Sequence, residues 1–259
     1  ANTIKTGLPM HEKLIRRNPV YAALHVGRRE LLKLWIQDDV KRSSIASILH
    51  AASERNVTIQ KASKQEISNK AQDSRHQGVL LEAGPFVYAS MDEVLTLATD
   101  RDEKPFLLVL DLLHGPQNIG SLLRTAEICG VHGVVLQDRR APDVTPAVVQ
   151  YSAGAAEYLA IVQVTNLAQN LNSLKENDIW VVGLDIDDHA MQFGAIDLDM
   201  PIALVVGHEG SGLRRIVKKP CDFLLRLPMR GHTESLNAAA AGSILLYAAW
   251  QARGFGESY

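Results

Sequence analysis

Three stretches of this 259-residue chain hold polar groups whose types and spacing could do chemistry. In NIGSLLR (118–124) an amide and a guanidinium stand six residues apart in a helical pattern. Six residues is nearly two turns, so Asn118 and Arg124 do not share one spot on that helix. Taken alone, Asn118 can be a helix cap and Arg124 a surface residue. In VVGHEGSGL (205–213) three glycines follow an apolar run and precede a helical one. Such a loop suits an anion at a helix N-terminus, but it lacks the lysine of a P-loop and the spacing of a dinucleotide fingerprint. Gly207, Gly210 and Gly212 instead suggest backbone that approaches a flat ligand closely. Glu209 among them would repel a phosphate and suits a cationic or hydroxyl-bearing ligand. In RLPMRGHTESLNAAAAGSIL (226–245) a proline turn leads through Ser235 and Asn237 into four alanines. A cap at Ser235 or Thr233 explains one polar residue there but not Pro228, Met229, Ser235, Asn237 and the alanines together.

Other chemistries find no support. No His/Cys cluster has zinc spacing, so no metal site is expected, and no G-x-S-x-G elbow occurs. DIDDH (185–189) lacks the glycine and distal glutamate of a calcium loop and reads as a solvated loop. His114 and His208 lie in the candidate loops and are weak contact candidates.

The elements that must position these residues fall into two groups. From residue 106 the runs FLLVLD, GVVLQ, YLAIVQV, IWVVGLD, IALVVG and FLLRLP are continuously apolar. Such runs, separated by helical patterns at 119–129, 145–151, 166–176, 212–219 and 235–253, point to a mostly parallel sheet between helices. Ligands of such sheets bind beyond the carboxyl ends of the strands, here the loops after Asp111, Gly207 and Leu227. Residues 1–84 alternate helix (18–29, 43–56, 64–72) with strand (31–36, 57–62, 78–83), a small α/β domain. The segment 85–105, bracketed by Gly-Pro and Lys-Pro, is expected to be a linker with one helix capped by Ser90, leaving 106–259 as the second domain.

Charge separates the same two parts. The net charge is −2. Residues 1–84 hold 14 Lys+Arg against 8 Asp+Glu, and the remainder 13 against 21, so a basic first third precedes an acidic body. That division suits attraction of a polyanion by the first part. Cys129 and Cys221 have no metal-type spacing and read as free buried thiols in a reducing compartment. No apolar run reaches the ~18 residues of a membrane span, and no secretion signal is seen at the start. A cytoplasmic location is expected.

Taken in order, N-I-G-x-x-x-R (118–124), G-H-E-G-S-G-L (207–213) and L-P-M-x-G-x-x-E-S-L-N (227–237) resemble the three motifs of the SpoU/TrmH family of the SPOUT superfamily, the RNA 2′-O-ribose methyltransferases. NPVYAAL (18–24) and RHQGVLLE (75–82) resemble the RNA-binding domain of members that modify large-subunit rRNA. The nearest resemblance is to the RlmB-type branch, which methylates a guanosine ribose of 23S rRNA. The resemblance implies S-adenosylmethionine as cofactor, RNA as partner, a C-terminal trefoil knot, and a homodimer with cofactor sites at the subunit interface. Carried over by position, Asn118, Arg124, Glu209, Ser235 and Asn237 form the catalytic set. Gly207, His208, Glu209, Gly212, Leu227, Pro228, Met229, Ser235 and Leu236 surround the cofactor. The chain departs from many relatives at Ala239, where a second serine is common, and at Arg17-Asn18, where a nearby glycine is common.

In such a reaction Arg124 is the natural group beside the ribose hydroxyl. Its guanidinium stays protonated in proteins, which suits stabilising an alkoxide rather than removing a proton. Glu209, a water or an RNA phosphate remain as proton acceptors. Rival readings are a tRNA 2′-O-methyltransferase, an antibiotic-resistance rRNA methyltransferase of the same family, and a non-catalytic RNA-binding protein. Family members acting on tRNA usually carry short helical extensions rather than a basic domain, and the intact polar set argues against a non-catalytic role.

Overall fold

A computed structural model describes residues 11–138, 143–187, 189–208, 210, 212–232 and 235–255. The chain forms two compact units. The smaller holds residues up to Val87 together with Val144–Tyr158. The larger holds Tyr88–Asp143 and everything from Leu159 onward.

The smaller unit contains β1 (Glu12–Ile15), α1 (Arg17–Val26), β2 (Leu31–Gln37), a 3₁₀ turn at Arg42–Ile45, α2 (Ala46–Glu54), β3 (Thr58–Ala62), α3 (Lys64–Ala71) and β4 (Val79–Ala83). Its sheet runs β1-β4-β2-β3, antiparallel except for the β2/β3 pair. α3 starts with a capping box in which Ser63 and Glu66 satisfy each other's backbone amides. Arg55 donates to the carbonyl oxygens of His25 and Val26 at the C-terminal end of α1.

The larger unit contains α4 (Met91–Asp100), β5 (Phe106–Leu110), α5 (Pro116–Ile128) and β6 (Gly133–Gln137). The chain then contributes α6 (Pro146–Tyr151) and α7 (Ala155–Tyr158) to the smaller unit. It returns with β7 (Ile161–Val164), α8 (Leu167–Glu176), β8 (Trp180–Leu184), β9 (Met191–Gln192), β10 (Ile202–Val206), α9 (Arg215–Lys218), β11 (Phe223–Arg226) and α10 (Ala238–Ala252). The sheet order is β7-β6-β5-β10-β8-β11-β9, and each pairing is parallel. All five residues of β5 and of β10 are buried, as expected of central strands covered on both faces.

Several expectations change. Within 85–105, α4 is capped by Ser90 as read from the sequence, but Val94 and Ala98 are buried and Val94 joins the core of the larger unit. The segment is therefore an integral layer, not a spacer. The helix expected over 212–219 shrinks to four residues, because Leu213 and Arg214 are held in a loop by distant carboxylates. Cys129 is buried, whereas Cys221 is only half-buried; burial pushes both thiols up to about 12, so neither ionises near neutrality. Among the described residues no helix is long and apolar enough to cross a membrane.

Candidate active site

The carboxyl ends of β5, β10, β8 and β11, adjacent in the sheet, carry the polar loops. A cavity of about 410 Å³ opens there, within the size range of small-molecule sites. Its walls come from Leu184–Ile186 after β8, Gly207, His208, Gly210 and Gly212 after β10, Arg226–Met229 after β11, and Ser235, Leu236, Ala238 and Ala241 around the start of α10. Met229 and Leu236 are exposed to about two-fifths (42% and 39%), an apolar surface suited to a ligand's flat face.

Two buried carboxylates shape the glycine loop. Asp185, 5% exposed, accepts from the amides of Ile186 (2.9 Å), Asp187 (3.0 Å) and Leu213 (3.0 Å), and pairs with Lys218 Nζ at 2.9 Å. Asp111, 1% exposed, accepts from the Arg214 amide (2.9 Å) and from Arg214 Nε (2.6 Å). Arg214 Nη2 also reaches Gln137 Oε1 at 2.8 Å. The loop is thus fastened to β8 on one side and β5 on the other. Burial disfavours the Lys218 ammonium, but the hydrogen bond and charge of Asp185 outweigh it and raise the pKa. DIDDH is therefore not simply a solvated loop: Asp185 braces the cavity. Neither Asp111 nor Asp185 carries a local sequence signal, because their partners lie 103 and 28 residues away.

The glycines serve the loop itself. His208 and Gly212 exchange backbone hydrogen bonds at 3.1 and 3.0 Å. A Cβ at Gly207 would lie 2.5 Å from the Gly212 carbonyl oxygen, and one at Gly212 would lie 2.9 Å from Asp185 Oδ2. The close approach expected toward a ligand is first an approach of the backbone to itself and to Asp185. The His208 ring also meets His114 edge-on at 5.6 Å.

Asn237 caps α10, its Oδ1 accepting from the amides of Ala239 (2.9 Å) and Ala240 (3.3 Å). Its Nδ2 donates to Asn118 Oδ1 at 3.0 Å. The cap expected at Ser235 or Thr233 is thus at Asn237, and α10 begins at Ala238. Ser235 lines the cavity instead. Arg124 is exposed on α5 and forms no ion pair among the described residues. It lies about 120° around the helix from Asn118. Of the expected cofactor residues, Gly207, His208, Gly212, Leu227, Pro228, Met229, Ser235 and Leu236 wall the cavity. Glu209 and Thr233 lie outside the described residues.

A cavity at the ends of parallel strands, walled by glycine backbone and a helix start, defines a ligand-binding α/β protein. Residues 105–247 match the SpoU rRNA Methylase family, and residues 17–89 match the RNA 2′-O ribose methyltransferase substrate-binding domain. The chain belongs to the SpoU methylase family of RNA methyltransferases. It is 38% identical over 243 residues to YacO of Bacillus subtilis (strain 168), a protein named for the TrmH family of tRNA/rRNA methyltransferases, covering 94% of this chain and 96% of YacO. Its fold is similar to that of the SpoU methyltransferase AviRb from Streptomyces viridochromogenes, solved with AdoMet (TM-score 0.78, 22% identity, 95% and 92% of the two chains). It is similar also to an AdoMet-bound rRNA methyltransferase from Sinorhizobium meliloti (TM-score 0.75, 21% identity, 96% and 89%).

Proposed function

We propose that the protein transfers a methyl group from S-adenosylmethionine to a ribose 2′-hydroxyl of RNA, its target a guanosine of 23S rRNA. The observation that carries this reading is the Asn237–Asn118 hydrogen bond, which joins the first and third motifs beside the cavity wall. The cavity fits the cofactor: Leu227, Met229 and Leu236 offer apolar surface for adenine, and glycine backbone at 207 and 210 stands at its wall. When bound, the cofactor supplies an electrophilic methyl on a sulfonium.

The chain's own residues then do the remaining work. Asn237, fixed by two backbone amides, orients Asn118 at the RNA side. Arg124 keeps its proton and stabilises the developing alkoxide while orienting a phosphate. Glu209, a water or that phosphate takes the hydroxyl proton. The exposed position of Arg124 fits a homodimer with sites at the subunit interface, where Arg124 serves a site its own copy does not complete. The trefoil threading of the C-terminal segment belongs to the same proposal. The basic charge of residues 1–84 supports an RNA partner, and the rRNA named in the matched family favours rRNA over tRNA.

The test is a primer-extension map of ribose methylation in RNA from cells with and without the gene. A single guanosine stop missing from 23S rRNA, restored by wild type and not by Arg124→Ala, is expected. Loss confined to tRNA would overturn the target. Arg124→Lys keeps the charge but not the planar fork. It is expected to lower kcat about 100-fold with an unchanged thermal midpoint, because the side chain is exposed.

A further inference from the structure

The smaller unit has a cavity of its own, of about 550 Å³. Arg16, Arg17, Lys64 and Arg75 line it together with Gln37, Gln77 and the buried His76. No carboxylate is among its described lining residues. Asp73 faces the cluster, and it holds Arg75 through three hydrogen bonds, from the amide at 2.8 Å and from the guanidinium at 3.0 and 2.8 Å. The floor is fixed by hydrogen bonds that use no carboxylate. His76 Nδ1 accepts from the Gly78 amide at 3.0 Å and Nε2 meets Ser68 Oγ at 3.2 Å. Arg17 Nε donates to the Gln77 carbonyl oxygen at 3.3 Å. Arg16 sits at φ 72°, ψ 151°, a region almost reserved for glycine. A long cation is thus held at the cavity despite backbone strain.

A second feature starts at the same place. Arg17, Tyr21 and His25 recur at intervals of four along α1 and so share one helix face. Tyr21 and His25 are stacked, their centroids 5.4 Å apart and their planes 17° from parallel. His25 leads on to Tyr158 of α7 at 6.2 Å. His25 is exposed, and Tyr158 is 42% exposed. Tyr21 is half-buried, so the row runs from a cluster of cations through a half-buried ring to two exposed ones. That matches what single-stranded nucleic acid requires: positive charge for the backbone and π-faces for the bases.

We propose that the Arg16–Arg17–Lys64–Arg75 cavity seats one phosphodiester of single-stranded RNA, and that the rings of Tyr21, His25 and Tyr158 stack the adjoining bases. This rests on reading the protein as an RNA-modifying enzyme, and it names how the smaller unit grips its substrate.

The test uses the full chain, a short fluorescein-labelled single-stranded RNA, and the duplex of the same sequence, with Kd measured by anisotropy across salt concentrations. Lys64→Ala combined with Arg75→Ala, both at exposed positions, is expected to reduce the slope of log Kd against log salt by about one. Tyr21→Leu combined with Tyr158→Leu is expected to weaken binding about tenfold with the slope unchanged, and the paired Tyr→Phe variant to restore it. Methyl incorporation into total RNA by the wild type is measured alongside. Wild-type methylation with variants that match wild type in Kd and slope would sink the track alone. A preference for the duplex would do the same. No methylation of any RNA by the wild type would sink the functional reading and the track with it.

Discussion

Asn237 uses its carbonyl oxygen to hold the first turn of α10 and its amide nitrogen to hold Asn118. An alanine there would mix loss of stability with loss of positioning; Asn237→Asp separates the two. The aspartate keeps an acceptor for the Ala239 and Ala240 amides, so unfolding in urea should match wild type, whereas Asn237→Ala should cost about 1 kcal/mol. Both variants lose the donor to Asn118, so both should lose methylation activity while Asn118→Ala loses activity alone. At this scale the motif residues were legible because Asn, Arg, Gly and Ser at fixed spacings carry their own signal. Asp111, Asp185 and Arg214 were not. A carboxylate earns notice in a sequence through its neighbours, and these three act through contacts with residues far along the chain.

Among the elements, the six apolar runs of the larger unit read directly as its long strands, since a parallel strand buried on both faces has no alternation to disguise it. The two-residue β9 and the four-residue α7 and α9 carry no periodicity and exist because neighbours hold them. Strand β1 was not read from the sequence: it is four residues long and half of it, Glu12 and Lys13, is charged, although Glu12 is buried. The glycine loop after β10 is the element most sensitive to added bulk. In Gly207→Ala the new methyl meets the Gly212 carbonyl oxygen, and overpacking of this kind costs about 1–3 kcal/mol. Titration calorimetry with S-adenosylmethionine should show an affinity loss of about tenfold or more. An unchanged affinity would mean that the loop does not shape the cofactor site. The small residues at the start of α10 permit close helix packing. The tightest point is Gly242, where a Cβ would lie 2.7 Å from Leu122 Cδ2 of α5, and Thr125 Oγ1 meets Ser243 Oγ at 2.9 Å nearby.

Across the whole molecule, the charge contrast between residues 1–84 and the rest announced two units, but nothing in the local sequence of 144–158 announced that it joins the first. Its anchor is a buried ion triad. Arg29 Nη1 meets Glu12 Oε2 at 2.6 Å, Nη2 meets Glu157 Oε1 at 2.8 Å, and the guanidinium lies over the Phe86 ring at 5.3 Å. Burial raises the Glu157 pKa even with Arg29 beside it. Arg29→Met would strand two buried carboxylates, and a loss of about 3–5 kcal/mol is expected in the smaller unit. Calorimetry should show one transition falling and the other unmoved. Acid should weaken the same unit. Burial, then the charge of Lys64, holds His76 below its ordinary value of 6.5. As pH falls through about 6.5, the unfolded chain takes a proton that the folded ring refuses, so the stability held at higher pH is lost. His76→Gln should flatten the dependence of the urea midpoint between about pH 7.5 and about pH 5.5. His132, which burial lowers in the same direction, belongs to the larger unit and leaves a slope of the same sign there. The excursion of 144–158 also sets a rule for recombining relatives. The chain changes units at 87/88, 143/144 and 158/159. A chimaera joined at the first point alone would pair Arg29 of one parent with position 157 of the other, so a clean exchange of the smaller unit needs three junctions rather than one.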